Sequence, residues 1–435
     1  MSEATVTIRM YNPGFGDCFL VTVADGEASW RMLIDCGVHS HGRAPVEGGT
    51  RPIGDVVAAV IAQLADESPD GQPRLDVVAA THRHSDHVSG FADDAWAGVE
   101  VGEVWVPFVE DEADPDGRAL RHGFAASAEA LHGLIELAAA DGGAGDAWPE
   151  GLELAMEFAV NSGPNLDAAA RLVDGGFKGG AAAHEVRFLP YRHEELNRIA
   201  LPVPGAVVHV LGPSRDPEDL KRMDPPTAVR WLGEAAGELG EGDARRDIFD
   251  PMYALPRDDP GDRIPIELVR ARDGMRLDRL ALDEAALLRA ASVLERSVNN
   301  TSLFLVLDVR GTRFVFVGDA QHGAWRHVLD DPHARELVTG AVFYKVGHHG
   351  SHNATPKPVA ADLLRAGGVA MVPVGTVKRW KDTIPEHLIL EALHDAGAHV
   401  VRADEPDTGE EAWGDDLGFR VGPDGLWSEV RFSVP

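Results

Sequence analysis

Cysteine is nearly absent from this 435-residue chain, which holds only Cys18 and Cys36. Two thiols cannot build a disulfide scaffold or a cysteine-rich zinc module. Each sits in an apolar run outside any C-x-x-C spacing, which reads as reduced core packing. Basic residues are scarce too: 40 Lys and Arg face 71 Asp and Glu, a formal charge of −31. Such a chain adsorbs poorly to long duplex nucleic acid or anionic membranes. A bound cation or a local basic rim would still dominate at short range, so a small anionic substrate stays open. No run approaches the ~18 apolar residues of a membrane span. Met1-Ser2-Glu3-Ala4-Thr5 has neither the basic start nor the apolar stretch of a secretory signal. The expectation is a soluble, cytoplasmic protein with no membrane partner. Phosphate-cradling glycine motifs are missing as well, since Gly142-Gly143-Ala144-Gly145-Asp146 carries no Lys-Ser/Thr. Asn299-Asn300-Thr301-Ser302 matches the glycosylation acceptor pattern twice, which carries no meaning without a secretory signal.

What is present is ordinary globular material, 44% apolar and 26% charged, in a length that suits two or three domains or one elaborated fold. Strands are predicted at Thr5–Met10, Cys18–Val23 and Trp30–Ile34, separated by Asn12-Pro13-Gly14 and Asp25-Gly26. A helix at Ile53–Leu64 and a buried strand at Leu75–Ala80 follow. From about Glu112 to Val298 helical composition dominates, at Ala119–Ala140, Asn165–Val173, Thr227–Leu239 and Glu284–Val298. Short strands at Glu185–Leu189 and Ala206–Leu211 interrupt it, and Asp216–Asp283 is rich in Pro, Asp, Arg and Gly. Buried strands then resume at Ser302–Val309, Arg313–Val317, Ala341–Val346 and Val369–Val374. Strand and helix alternate, with chemistry at strand C-termini, which is an α/β signature.

Histidine is abundant, at 19 residues, and unevenly spread. His82-x-His84-x-Asp86-His87 places four potential ligands within six residues, directly after a predicted strand. On an extended or turning segment His82 and His84 project to one side, and Asp86 and His87 reach a second point nearby. Imidazole nitrogen and carboxylate oxygen suit Zn²⁺, with Mn²⁺ or Fe²⁺ also compatible. A solvated turn is the bland alternative, but no turn needs three histidines.

This run resembles the metal-binding signature of the metallo-β-lactamase superfamily, a four-layer αββα sandwich holding one or two metals. Leu33-Ile34-Asp35-Cys36-Gly37 resembles the early strand whose Asp35 orients the metal loop. Phe316-Val317-Gly318-Asp319-Ala320 is similar to the strand end whose carboxylate bridges two metals. Lys345-Val346-Gly347-His348-His349-Gly350-Ser351 resembles the late histidine station. With Gly16-Asp17-Cys18, these resemble the ComEC-like branch, the hydrolase domain of competence channels. The resemblance covers about residues 5–110 and 299–405. It implies a sandwich built from residues 1–111 and 298–435, interrupted by a helix-rich insertion at 112–297. One station is missing: the histidine usually found between the first cluster and the bridging aspartate. His122, His132, His184, His193 and His209 are in that interval, none in the usual setting.

Adjacent side chains diverge, so His348 and His349 cannot both reach one metal. One is the expected ligand, with His348 slightly favoured, and the other meets substrate or supports the site. His352 falls where relatives often carry a cation and is a candidate for contact with substrate or leaving group. Asp86 is a candidate for both metal binding and proton handling. His39 and His41 read as a surface loop, His322, His327 and His333 as solvated helix positions, and Trp325 as packing. Two cations ~3.5–4 Å apart would supply hydroxide at neutral pH, so the expected activity is hydrolysis by metal-bound hydroxide. The resemblance favours a phosphodiesterase or nuclease. The alternatives are hydrolysis of a small ester or lactone and a partner-binding protein with a degenerate site. Lys378-Arg379-Trp380-Lys381 is the candidate substrate clamp, with cations for a phosphate and a flat ring for a base. That would suit a small-molecule or short nucleotide substrate. A solvated turn is the plainer reading of the same residues.

Overall fold

Apolar residues at period two lay down the sheets. β1 (Ala4–Tyr11), β2 (Cys18–Asp25) and β3 (Ala28–Cys36) form an antiparallel meander. A small ribbon follows, β4 (Pro45–Val46) with β5 (Gly49–Thr50). β6 (Arg74–Ala79), β7 (Glu100–Pro107) and β8 (Glu185–Leu189) then add in parallel beside β3. β9 (Arg198–Ala200), β10 (Ala206–Gly212), β11 (Phe304–Val309) and β12 (Thr312–Phe316) run antiparallel in a second sheet. That sheet continues in parallel through β13 (Ala341–Lys345), β14 (Leu364–Val372) and β15 (His399–Arg402). β16 (Leu417–Val421) and β17 (Trp427–Val434) return to the first sheet beside β1. Among the described residues the protein is thus mixed α/β, with one eight-stranded and one seven-stranded mixed sheet.

This computed structural model describes residues 3–123, 166–180, 182–225, 297–378, 380–406 and 417–435. All of them belong to a unit made of Met1–Gly123, Asn161–Trp231 and Arg296–Pro435. The predicted helices Thr227–Leu239 and most of Glu284–Val298 and Ala119–Ala140 lie outside the described residues, as does Arg379.

Side-chain alternation explains the packing. Leu305, Leu307 and Val309 of β11 join Val6, Ile8, Phe19 and Val21 of the first sheet in one core cluster. Their neighbours Phe304 and Val306 point the other way, into a cluster with Trp325, Val328, Leu337, Leu363 and Leu393 from helices 322–330, 332–338, 357–363 and 387–395. The outer face of the first sheet packs on the helix Ile53–Asp66 through Val56, Val57, Val60 and Leu64. Among the described residues no helix is long and apolar enough to cross a membrane.

The interval 112–297 differs from the single insertion expected. Its short strands belong to the main sheets: β8 extends the first beside β7, and β9 and β10 extend the second beside β11. β8 and β10 thus find partners outside the interval, in β7 and β11.

Candidate metal centre

The site forms where parallel strands end, the usual place for chemistry in α/β sheets. β3 delivers Asp35, β6 runs into Thr81–Val88, β12 into Asp319, and β13 into Gly347–Gly350. His82, His84, Asp86, His87, Asp319 and His349 are all at most 5% exposed. Asp35 takes a left-handed conformation, φ 56°. Its carboxylate accepts from Thr81 N and Thr81 Oγ1, both at 2.7 Å, and meets His87 Nδ1 at 2.8 Å. Asp35 therefore pins the start of the histidine loop and one of its rings. Gly37 lets the loop approach: a Cβ there would come within 2.5 Å of the Asp86 and His87 backbone.

Asp17, His87, Asp319 and His349 offer ligand atoms all within 4.8 Å of one another, a buried group that could hold a metal ion. The donors sort further by ring face. Asp319 Oδ2 lies 3.1 Å from His87 Nε2 and 3.5 Å from His349 Nε2, and Asp86 Oδ2 lies 3.2 Å from His349 Nε2. Four donors about 2.0–2.2 Å from a tetrahedral cation sit roughly 3.3–3.6 Å apart. The 3.5 Å spacing falls in that range, and those of 3.1 and 3.2 Å are just short of it, at hydrogen-bond length. His82 Nε2 and His84 Nδ1 converge at 3.0 Å, a second, sparser pair. Asp17 Oδ1, Asp86 Oδ1 and His84 Nε2 are buried without a hydrogen-bond partner among the described residues, and His87 Nε2 has the 3.1 Å contact with Asp319 in place of a well-formed hydrogen bond. Such orphaned atoms are costly unless a ligand satisfies them.

Electrostatics point the same way. Burial disfavours a charged His349, yet Asp319 and Asp86 outweigh it and raise its pKa to about 10. Burial also opposes charge on His87, and Asp319, Asp17 and Asp35 likewise raise its pKa well above the ordinary value. These carboxylates gather positive charge from whatever is available. By contrast burial holds His84 near 4 and His82 well below the usual range, leaving two neutral imidazoles.

His349, rather than the favoured His348, joins the cation-capable group. His348 meets Asn299 Nδ2 through Nε2 at 3.2 Å, and its Nδ1 lies 3.3 Å from Asn353 Oδ1. Burial lowers its pKa to about 4, keeping it neutral. His352 Nε2 is 3.4 Å from Asp224 Oδ1, engaged with a residue at the edge of the 226–296 interval. His39 does not lie on the surface: it is 1% exposed, packed against Phe15 and Trp380. Trp380 in turn packs on Phe15 at 5.0 Å, and Phe15 on His349 at 4.2 Å. An aromatic bridge therefore joins the candidate clamp segment to the centre, with Lys378 and Lys381 exposed.

Sequence reasoning left Asp17, Phe15, Lys345 and Ser302 out of the site. Ser302 Oγ accepts from Asp319 N at 3.0 Å and lies 3.3 Å from His82 Nδ1, so the dismissed Asn-Asn-Thr-Ser run buttresses the centre. The available signal was Lys345 itself, one cation inside the apolar run Ala341–Val346. Comparison with family models and with curated proteins found no match.

Proposed function

We propose that this protein is a dinuclear metal-dependent hydrolase of the metallo-β-lactamase type, ComEC-like in its motifs, acting on a phosphodiester. The observation that carries the reading is the buried set Asp86, His87, Asp319 and His349, linked by donor contacts of 3.1, 3.2 and 3.5 Å, beside the His82–His84 pair. Two sheets sharing one core, with helices on their outer faces, are what a four-layer αββα sandwich requires.

His82, His84 and Asp319 would hold one cation, and Asp86, His87, His349 and Asp319 the other, with Zn²⁺ favoured by the mixed nitrogen and oxygen donors. When bound, such cations supply Lewis acidity and acidify water at neutral pH. The chain does the rest. Asp35 fixes the His87 ring through Nδ1, and the Pro373 carbonyl fixes the His349 ring through Nδ1 at 2.7 Å, so both Nε2 lone pairs face the centre. Asp86 Oδ1, unpaired among the described residues, would be the group to take a proton from the attacking water. Charge supports an anionic substrate. Among the described residues, Asp17, Asp35, Asp86 and Asp319 are buried there with Lys345 and the imidazoles of His87 and His349 as counter-charges. With the two imidazoles neutral as ligands, one divalent cation would leave that balance negative and two would make it positive, which would draw a phosphate. Lys378 and Lys381 on the Trp380 segment would then grip the substrate as its ring meets the indole. The runner-up is hydrolysis of a small neutral ester or lactone, which the −31 charge of the chain would tolerate equally well.

Elemental analysis should find divalent metal in the purified protein. Reconstituted protein should cleave bis-p-nitrophenyl phosphate in preference to simple esters and lactones. Failure to retain any metal sinks the reading, and a preference for lactones hands it to the runner-up.

A further inference from the structure

Asp17 and Lys345 hold no cation and move no proton in the chemistry above, yet each is only 2% exposed at its centre. A buried ammonium is costly unless paired, so its partners define its task. Lys345 Nζ lies 2.5 Å from Asp17 Oδ2, donates to the Gly318 carbonyl at 2.7 Å, and reaches Asp319 Oδ1 at 3.4 Å. The two oxygens of Asp319 are therefore divided. Oδ1 faces the ammonium, and Oδ2 faces His87 Nε2 and His349 Nε2.

Asp17 meets the same two rings from behind. It lies 3.7 Å from His87 Nδ1 and 3.5 Å from His349 Nδ1. Those nitrogens are already directed at Asp35 and the Pro373 carbonyl. A cation held by the Nε2 lone pairs would lie at the opposite edge of each ring from Asp17. Proximity alone groups Asp17 with the donors, but the ring faces separate it from them.

We propose that Asp17 is not a cation ligand, and that it anchors Lys345 so that the ammonium aims Asp319 Oδ2 into the donor set. Both are positioning residues, and the assignment rests on the metal-centre reading above. The double variant Asp17→Asn/Lys345→Met removes one negative and one positive charge, so the summed charge of the centre is unchanged. Any change in affinity then reports orientation rather than attraction. Competition with a chromophoric chelator should show metal binding roughly 10- to 100-fold weaker, the usual effect of losing a partner behind a ligand. At saturation the variant should bind as many metal ions as the parent, and its Co²⁺-substituted form should keep the parent's visible bands. In an Asp319→Asn background the same pair of changes should cost nothing further, because there is no bridging carboxylate left to aim. Circular dichroism and thermal melting check that each variant folds.

Fewer metals at saturation would make Asp17 a ligand and overturn the proposal. Unaltered affinity, or a full additional loss in the Asp319→Asn background, would overturn it as well. A parent protein that binds no metal would instead remove the reading on which it rests.

Discussion

Two loops supply the centre, and they differ in how they are built. Thr81–Val88 leaves β6 in relaxed backbone: His84 is extended, and one helical turn carries Asp86 and His87. Gly347–Gly350 leaves β13 through two consecutive left-handed histidines, His348 at φ 43° and His349 at φ 52°. Left-handed backbone costs an ordinary residue about 1–2 kcal/mol, so packing must pay for it here. In the first loop, spacing alone tells which side chains converge. In the second, the strained turn decides it, sending His349 to the carboxylates and His348 to Asn299 and Asn353.

The largest effect should come from the residue both loops share. Asp319→Ala should strip at least one metal ion and reduce hydrolysis by on the order of 10³-fold, because it removes the oxygen that faces both His87 and His349. Retention of the parent's full metal content, read by elemental analysis, would show that Asp319 does not bridge. Next, the two histidines of the strained turn should separate cleanly. His349→Ala should lose a metal equivalent, whereas His348→Ala should keep full metal content and change KM or kcat alone. The reverse pattern would restore His348 as the ligand.

The relaxed loop has its own weak point at Gly37. Gly37→Ala drives a methyl into the Asp86–His87 backbone and should cost about 1–3 kcal/mol in denaturant unfolding, with weaker metal binding. An unchanged midpoint would mean that the loop is not held by that contact. The smallest effect belongs to the clamp. Replacing Lys378, Arg379 and Lys381 by Ala should raise KM for a dinucleotide several-fold and flatten its salt dependence, with metal content intact. Identical kinetics on every phosphodiester the parent cleaves would dismiss the clamp.

Much of this was readable from the chain. The strand Thr5–Met10 appears as Ala4–Tyr11, the helix Ile53–Leu64 as Ile53–Asp66, and Glu185–Leu189 at its stated ends. Cys18 and Cys36 are free and buried, facing each other across β2 and β3. Trp325 is fully buried packing. The histidine cluster and Asp319 do meet, although 232 residues separate His87 from Asp319 in sequence. Other features were missed or hidden. β17 was not among the predicted strands although Val430, Phe432 and Val434 alternate with polar residues, and His39 looks solvated until Phe15 and Trp380 cover it.

The sequence by itself determined many of the element types and the cluster of histidines and carboxylates available to a site, because periodicity and residue chemistry are local properties. Tertiary structure alone decided which face of each ring is free, which of two adjacent histidines turns inward, and that a lysine stands among the carboxylates. Those outcomes depend on hydrogen bonds and packing between segments up to hundreds of residues apart, such as the Asp17–Lys345 pair and the Ser302 contact with His82. No local pattern encodes them, since each is set by where the far end of the chain comes to rest.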